Sequence, residues 1–197
     1  MLLNISRLKN NCNEVALTYR LDGDIFLNAS ERISVVYGAE NQVDIFSDEK
    51  TKKLFETAKE LVIVSMHNYP NDTSYSFSDL LFFYRHDEIR LFIVVTNTGK
   101  VSSLSRDDLY LKKESFEYLM QLLAKNVPQF KELKFDAIEE SNENKKIAYR
   151  VMKKWLNEVE QFGLNYNEGV LKSGIAEKGQ RRKATKNKRI PRRGSAR

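Results

Sequence analysis

The residues of this chain that are best suited to chemistry follow one largely apolar run. His-Asn-Tyr-Pro occupies residues 67–70, and Ser76 and Asp79 follow in a Ser-x-x-Asp arrangement. Histidine and carboxylate side chains bind metal ions or transfer protons near neutral pH. Residues 61–66 have the length and composition of a strand buried on both faces. His67 is therefore predicted at the end of a central strand, where α/β domains commonly build their sites.

The residues around this motif predict the elements that position it. Pro70 prevents the strand from continuing. Ser76, Ser78 and Asp79 are residue types that cap helices, and a short helix is predicted at 80–85. A second apolar run at 91–96 predicts another buried strand, which is followed by a turn and a further strand at 100–104.

Periodicity predicts the remaining elements. Asp22-Gly23 is a strong hairpin signal. Further strands are predicted at 13–21, 25–28, 33–37 and 43–46, and helices after Ser47 or Asp48, at 113–126 and at 141–162, with Gly163 ending the last. This order predicts an α/β (α+β) fold with a mixed central sheet flanked by helices and followed by C-terminal helices. The apolar stripe that includes Trp155 is predicted to pack in the core or against a partner helix.

The motif resembles the metal-binding signature of the JAB/JAMM (MPN-type) metallopeptidase superfamily, in which His-x-His-Pro is followed by Ser-x-x-Asp. It is similar to the His-Asn-His-Pro versions of bacteria, phages and mobile elements, over about residues 13–104. The resemblance implies a JAB/cytidine-deaminase-like architecture and a zinc-dependent hydrolase of amide or isopeptide bonds. It implies His67 and Asp79 as zinc ligands, Ser76 at the oxyanion and Glu14 as general base.

One position departs from the family pattern. Tyr69 stands where the second histidine is expected. A phenol with an ordinary pKa of about 10 is a poor zinc ligand at neutral pH, whereas a neutral imidazole is a good one. Zinc, the cofactor implied by the resemblance, is therefore predicted to bind weakly or not at all. Cys12 is a candidate replacement ligand, and His86, the other histidine, is predicted to be exposed in a charged segment.

The same residues have explanations that need no metal. Ser76 and Asp79 can simply cap a helix. His67 and Tyr69 can belong to an ordinary loop after a buried strand, and Glu14 can be a surface glutamate that begins a strand.

Composition limits the classes of protein to consider. At 197 residues the chain has room for one domain and an extension, and no apolar run is long enough to span a membrane. Cys12 is the single cysteine, which excludes an internal disulfide, and the first residues lack the pattern of a secretory signal. These features predict a soluble intracellular protein, and the JAB/JAMM resemblance implies the cytoplasm of a bacterial cell or a phage-associated setting.

The positive charge of the chain is concentrated at its C-terminal end. Residues 172–197 contain eleven Lys and Arg and one Glu, a net charge of +10, whereas residues 1–171 hold 22 basic and 26 acidic residues, a net charge of −4. This tail is predicted to be disordered in isolation and to bind DNA, RNA or another polyanion without sequence preference. The tail residues predicted to contact phosphates are Arg181, Arg182, Lys183, Lys186, Lys188, Arg189, Arg192 and Arg193.

The sequence thus predicts a JAB-like domain at 1–112, a helical extension at 113–171 that packs on it, and the basic tail at 172–197. Three functions remain open. The protein can be a degenerate JAB/JAMM-like interaction module from a phage or mobile element, with another protein as its partner. It can be an active zinc (iso)peptidase, or a nucleic-acid-binding protein that acts through its tail.

Overall fold

A six-stranded mixed sheet is the centre of the computed structural model, which describes residues 1–22, 29–40, 42–70, 72–127, 130 and 141–171. The strands are β1 (Val15–Arg20), β2 (Ile33–Tyr37), β3 (Ile63–Tyr69), β4 (Ile89–Thr96), β5 (Lys100–Arg106) and β6 (Leu164–Val170). The helices of the described residues are α1 (Leu2–Lys9), α2 (Glu49–Glu56), α3 (Phe77–Arg85), α4 (Lys112–Asn126) and α5 (Asn142–Leu156). The predicted mixed α/β (α+β) class is confirmed.

The sheet has the strand order β2-β1-β3-β4-β5-β6. Only β3 and β4 are parallel neighbours, and α3 supplies the crossover that a parallel pair requires. The other neighbouring pairs are antiparallel. Consequently the beginning of β1 lies at the same sheet edge as the ends of β3, β4 and β6.

Apolar side chains cover both faces of the sheet. The larger core joins one face to α2, α3, α4 and α5, and Trp155 in α5 donates from Nε1 to the carbonyl of Ser115 at 2.9 Å. The smaller core lies on the other face, where Leu2 of α1 packs against Val15, Leu17 and Val95. The Trp155 stripe is therefore core, as predicted.

Strand β3 separates two sets of side chains because successive residues of a strand face opposite sides. Met66 and Asn68 face the smaller core and α1. Ser65, His67 and Tyr69 face the opposite side, where they line a cleft. The motif thus belongs to the last residues of the strand, which agrees with the position predicted for His67. The alternative of an ordinary loop that contains His67 and Tyr69 was wrong, since Tyr69 still pairs with Thr96.

Several predicted elements need correction. The strand predicted at 43–46 is wrong, because the Asp44 side chain accepts from the Phe46 N–H and begins a short 3₁₀ helix, Ile45–Ser47. The long helix predicted at 141–162 ends at Leu156. A separate 3₁₀ helix, Val159–Phe162, follows it, and Gly163 terminates that 3₁₀ helix in a left-handed conformation. Helix α1 and strand β6 were not predicted. Gly23 and the predicted strand at 25–28 lie outside the described residues.

Candidate functional site

The chemically suited residues converge at the edge of the sheet where β3 ends. Glu14, His67, Tyr69, Ser76 and Asp79 all line one cleft of about 600 Å³. Glu14 directly precedes β1, His67 and Tyr69 end β3, and Ser76 and Asp79 begin α3. Residues separated by more than sixty positions in the sequence therefore share one site.

The beginning of α3 fixes Asp79 through a capping box. The Asp79 N–H donates to Ser76 Oγ at 3.2 Å, and the Ser76 N–H donates to Asp79 Oδ2 at 2.7 Å. The Ser76 hydroxyl also donates to Asp79 Oδ2 at 2.8 Å. The Ser-x-x-Asp arrangement therefore has a complete structural explanation, and it holds the carboxylate in a defined orientation.

Tyr69 adds a further donor to the same carboxylate. Its hydroxyl donates to Asp79 Oδ2. Burial, followed by the charge of Asp79 and this hydrogen bond, raises the pKa of Tyr69 well above its ordinary value. Tyr69 is therefore a neutral hydrogen-bond donor at every physiological pH.

His67 lies between aromatic rings beside the other carboxylate oxygen. Its ring centroid is 4.8 Å from that of Tyr69, in a nearly perpendicular arrangement, and 5.5 Å from that of Phe92. Its Nε2 is 3.5 Å from Asp79 Oδ1, which is longer than an ordinary hydrogen bond. Burial lowers the pKa of His67, with the charge of Asp79 opposing the shift, so the imidazole is neutral near pH 7.

Glu14 is a buried carboxyl group, and the alternative of a surface glutamate was wrong. Only 3% of the residue is exposed. Its backbone N–H donates to the Ala39 carbonyl at 3.0 Å, and its carbonyl accepts from the Gly38 N–H at 2.9 Å. Burial, followed by the charge of Asp79, raises the pKa of Glu14 to about 7. The cleft therefore holds a carboxyl group that exchanges its proton near neutral pH.

The position of Glu14 depends on Asn68, a residue that the sequence did not single out. Asn68 is fully buried on the opposite face of β3. Its Oδ1 accepts from the Val15 N–H at 2.7 Å, and its Nδ2 contacts Ser6 Oγ at 3.2 Å and Asn97 Oδ1 at 3.0 Å. The Asn13 carbonyl lies 3.3 Å from the same Nδ2. Asn68 thus joins both residues that flank Glu14 to the strand that carries His67.

Neither Cys12, the candidate replacement ligand, nor His86 lines the cleft. Cys12 is exposed and does not line it. His86 packs against the rings of Phe46, Phe55 and Phe82, so its predicted exposure was wrong. Phe46 and Phe82 form one wall of the cleft, and His86 supports that wall from behind.

The donor atoms of the cleft do not match those of a three-ligand zinc site. Among the described residues, no group of three or more His, Cys, Asp or Glu side chains converges where it could hold a metal ion. Of the implied ligands, His67 and Asp79 are present, while Tyr69 contributes a neutral phenol. Asp79 Oδ2 already accepts from the Tyr69 hydroxyl and from the backbone and hydroxyl of Ser76. A catalytic zinc normally has three good protein ligands, and here only two are available.

Glu14 gives a pH-dependent stability that can be measured. A carboxyl group whose pKa is higher in the folded protein binds more protons there than in the unfolded chain, so stability falls as the pH rises. For Glu14 this loss should occur between its unfolded pKa near 4.5 and its folded pKa of about 7. We expect Glu14→Gln to reduce the fall in unfolding free energy between about pH 5 and pH 8 by about 3 kcal/mol.

Urea unfolding of the parent and of Glu14→Gln at both pH values measures this difference. Glu49→Gln, at an exposed position of α2, is the control and should leave the parent profile unchanged. Parallel profiles for the parent and Glu14→Gln would show that Glu14 does not titrate in this range.

The residues predicted to bind polyanions belong to the C-terminal tail. All eight basic tail residues from Arg181 to Arg193 lie outside the described residues. Among the helices that the structure describes, none is both long and apolar enough to cross a membrane.

No protein-family model, curated protein or solved structure matches this chain. The JAB/JAMM resemblance therefore rests on the motif residues of the sequence alone.

Proposed function

We propose that the protein is a degenerate JAB/JAMM-like domain whose zinc site is lost or weakened and which acts as an interaction module. The convergence of Glu14, His67, Ser76 and Asp79 in one cleft supports the family relationship. Its partner is another protein, and the tail binds DNA, RNA or another polyanion. The setting that accompanies the resemblance is a phage or mobile element of a bacterial cell.

The hydrogen bond from the Tyr69 hydroxyl to Asp79 carries this proposal. In a zinc site the aspartate would share its charge with the metal ion. Here the Tyr69 hydroxyl and the two donors of Ser76 satisfy the carboxylate instead. Because a buried carboxylate is stable only when it is paired or hydrogen-bonded, these donors let the cleft fold without a metal.

The alternative function is an active zinc-dependent (iso)peptidase. The observation that favours it is Glu14, a buried carboxyl with a pKa of about 7 in the same cleft as His67 and Asp79. Such a group can accept a proton at neutral pH, which is the role of a general base. Ser76 lines the same cleft and is the candidate hydrogen-bond donor to an oxyanion. A bound zinc would supply Lewis acidity and an activated water.

The zinc content of protein purified without chelators distinguishes these two functions. We expect far less than one zinc per chain, and the same low content in a His67→Ala variant. Near-stoichiometric zinc that disappears in His67→Ala would contradict the proposal and favour the hydrolase. In that case, loss of a metal-dependent peptidase activity in Glu14→Gln would identify the base.

The tail requires a separate test because it accounts for all of the positive net charge. Deleting residues 172–197 should weaken binding to a labelled DNA duplex by about tenfold or more at low salt and should reduce the salt dependence. A chain whose tail has the same length but Gln in place of Lys and Arg should behave like the deletion. Full binding by either variant would mean that the tail is not the polyanion site.

A further inference from the structure

A second concave surface begins where the cleft ends. A groove of about 560 Å³ lies between the first half of α5 and the segment 73–77, and it shares Thr73 and Ser76 with the cleft. Phe77 and Met152 contribute the apolar floor of the groove, and Tyr149 is a partly exposed residue of its α5 wall. We call this surface the α5 groove.

The rim of the α5 groove is positively charged. Lys146 and Arg150 are exposed and lie one helical turn apart on α5. Arg150 donates from Nε to the Lys146 carbonyl at 3.3 Å, and neither side chain forms a salt bridge with a carboxylate of the described residues. Lys145 is a third basic residue of the same wall. As far as the described residues go, Lys146 and Arg150 therefore flank the apolar floor without a neutralising carboxylate.

The opposite wall of the groove is the segment 73–76. Thr73 is exposed, whereas Ser74 and Tyr75 are buried. Ser76, which follows them, has the extended dihedral angles φ −78° and ψ 168°. An extended peptide can therefore lie along this wall while its side chains fill the neighbouring pockets.

We propose that the α5 groove binds an extended, acidic and amphipathic peptide segment of another protein. Apolar side chains of the peptide contact Phe77, Tyr149 and Met152, and its carboxylates pair with Lys146 and Arg150. This inference rests on the proposed interaction function, and it assigns that function a partner chemistry and a surface.

The arrangement of charge favours a peptide over a nucleic acid. A nucleic-acid strand carries a phosphate at every nucleotide and requires cations along its whole path. In the α5 groove the three basic residues, Lys145, Lys146 and Arg150, all belong to one helix on one wall, beside an apolar floor. This distribution suits a ligand that alternates apolar and acidic side chains.

Fluorescence anisotropy with the full-length chain tests the proposal. The probe is a short labelled peptide in which Glu alternates with Leu and Phe. We expect Lys146→Glu with Arg150→Glu to weaken its binding by about tenfold or more, because both cations are replaced by repelling charges. The matched control, Lys9→Glu with Lys113→Glu, makes the same change in net charge at exposed positions outside the groove and should alter affinity by about twofold at most.

Two further measurements separate the groove from the basic tail. A peptide with the same number of Glu residues and no apolar residue should bind about tenfold more weakly, since it can contact the tail but not the groove floor. NMR should detect shifts of the Thr73 and Tyr149 amides, which belong to the two walls of the groove, with the first peptide only. Equal affinities for both peptides, or unshifted amides, would overturn the proposal.

The same variants also test two other classes of ligand for the groove, a nucleic acid and a lipid surface. If single-stranded DNA or anionic phosphatidylserine vesicles lose affinity in the groove variant and the amphipathic peptide does not, the groove serves a nucleic acid or a lipid surface and the proposal is overturned. The zinc measurement and the peptide measurement test the two proposals separately. Stoichiometric zinc together with intact peptide binding would refute the metal-free interaction module, but it would still support peptide binding at the α5 groove.

Discussion

Replacing Tyr69 with histidine should raise the affinity of the cleft for zinc by about 100-fold or more. The change removes the phenol that donates to Asp79 and supplies an imidazole beside His67 and Asp79. The number of good protein ligands then rises from two to three, as in a catalytic zinc site. Competition with a fluorescent zinc chelator at pH 7.5 measures the gain.

Two variants identify the cause of that gain. Tyr69→Phe removes the hydroxyl without adding a ligand, so its zinc affinity should stay within a few-fold of the parent. His67→Ala in the Tyr69→His background should reverse the gain. If Tyr69→His folds and binds zinc no better than the parent, the cleft does not have the geometry of the JAB/JAMM site, and the proposed relationship fails.

Replacing Asn68 with alanine should lower the free energy of unfolding by about 3 kcal/mol. The side chain is fully buried and joins α1, the beginning of β1, the end of β3 and the turn after β4. Its removal leaves the buried Val15 N–H without its acceptor, at 2.7 Å in the parent. Chemical denaturation measures the loss. Hydrogen exchange at the Val15 amide should accelerate by more than at other β1 amides.

Asn97→Ala is the matched control for this variant. It removes one contact with Asn68 and the hydrogen bond from Asn97 Nδ2 to the Cys12 carbonyl at 3.0 Å, but it leaves Val15 paired. We expect it to cost about 1 kcal/mol. Equal losses for the two variants would mean that the Val15 bond does not hold β1 in place.

The sequence predicted those elements whose apolar pattern matches their burial. Strands β3 and β4 are apolar on both faces, and both are central strands. Strand β6 was missed because Leu-Asn-Tyr-Asn-Glu-Gly-Val is polar and only Leu164 is buried, so pairing with β5 decides its conformation. Helix α1 was missed because no side chain caps it.

The sequence predicted which residues form the candidate site, but it did not predict how those residues interact. The motif spacing suggested that His67, Ser76 and Asp79 belong together, and the structure brings them into one cleft. The role of Asn68 depends on contacts with segments as far as 62 positions away, which local sequence cannot indicate. The hydrogen bond from Tyr69 to Asp79 also depends on the angle at which α3 leaves the sheet, which sequence spacing does not determine.

The direction of β6 determines where the basic tail is attached. Because β6 is parallel to β3 and β4, its end lies at the edge of the sheet that carries the cleft, and the Leu171 N–H there donates to the Gly99 carbonyl at 2.8 Å. Three strand spacings, about 14 Å, separate β6 from β3. If residues 172–197 bind a polyanion as proposed, that polyanion is tethered to the edge of the sheet that carries the cleft. Tethering raises the local concentration of any protein that travels with that polyanion, so weak contacts at the cleft edge can suffice for recognition.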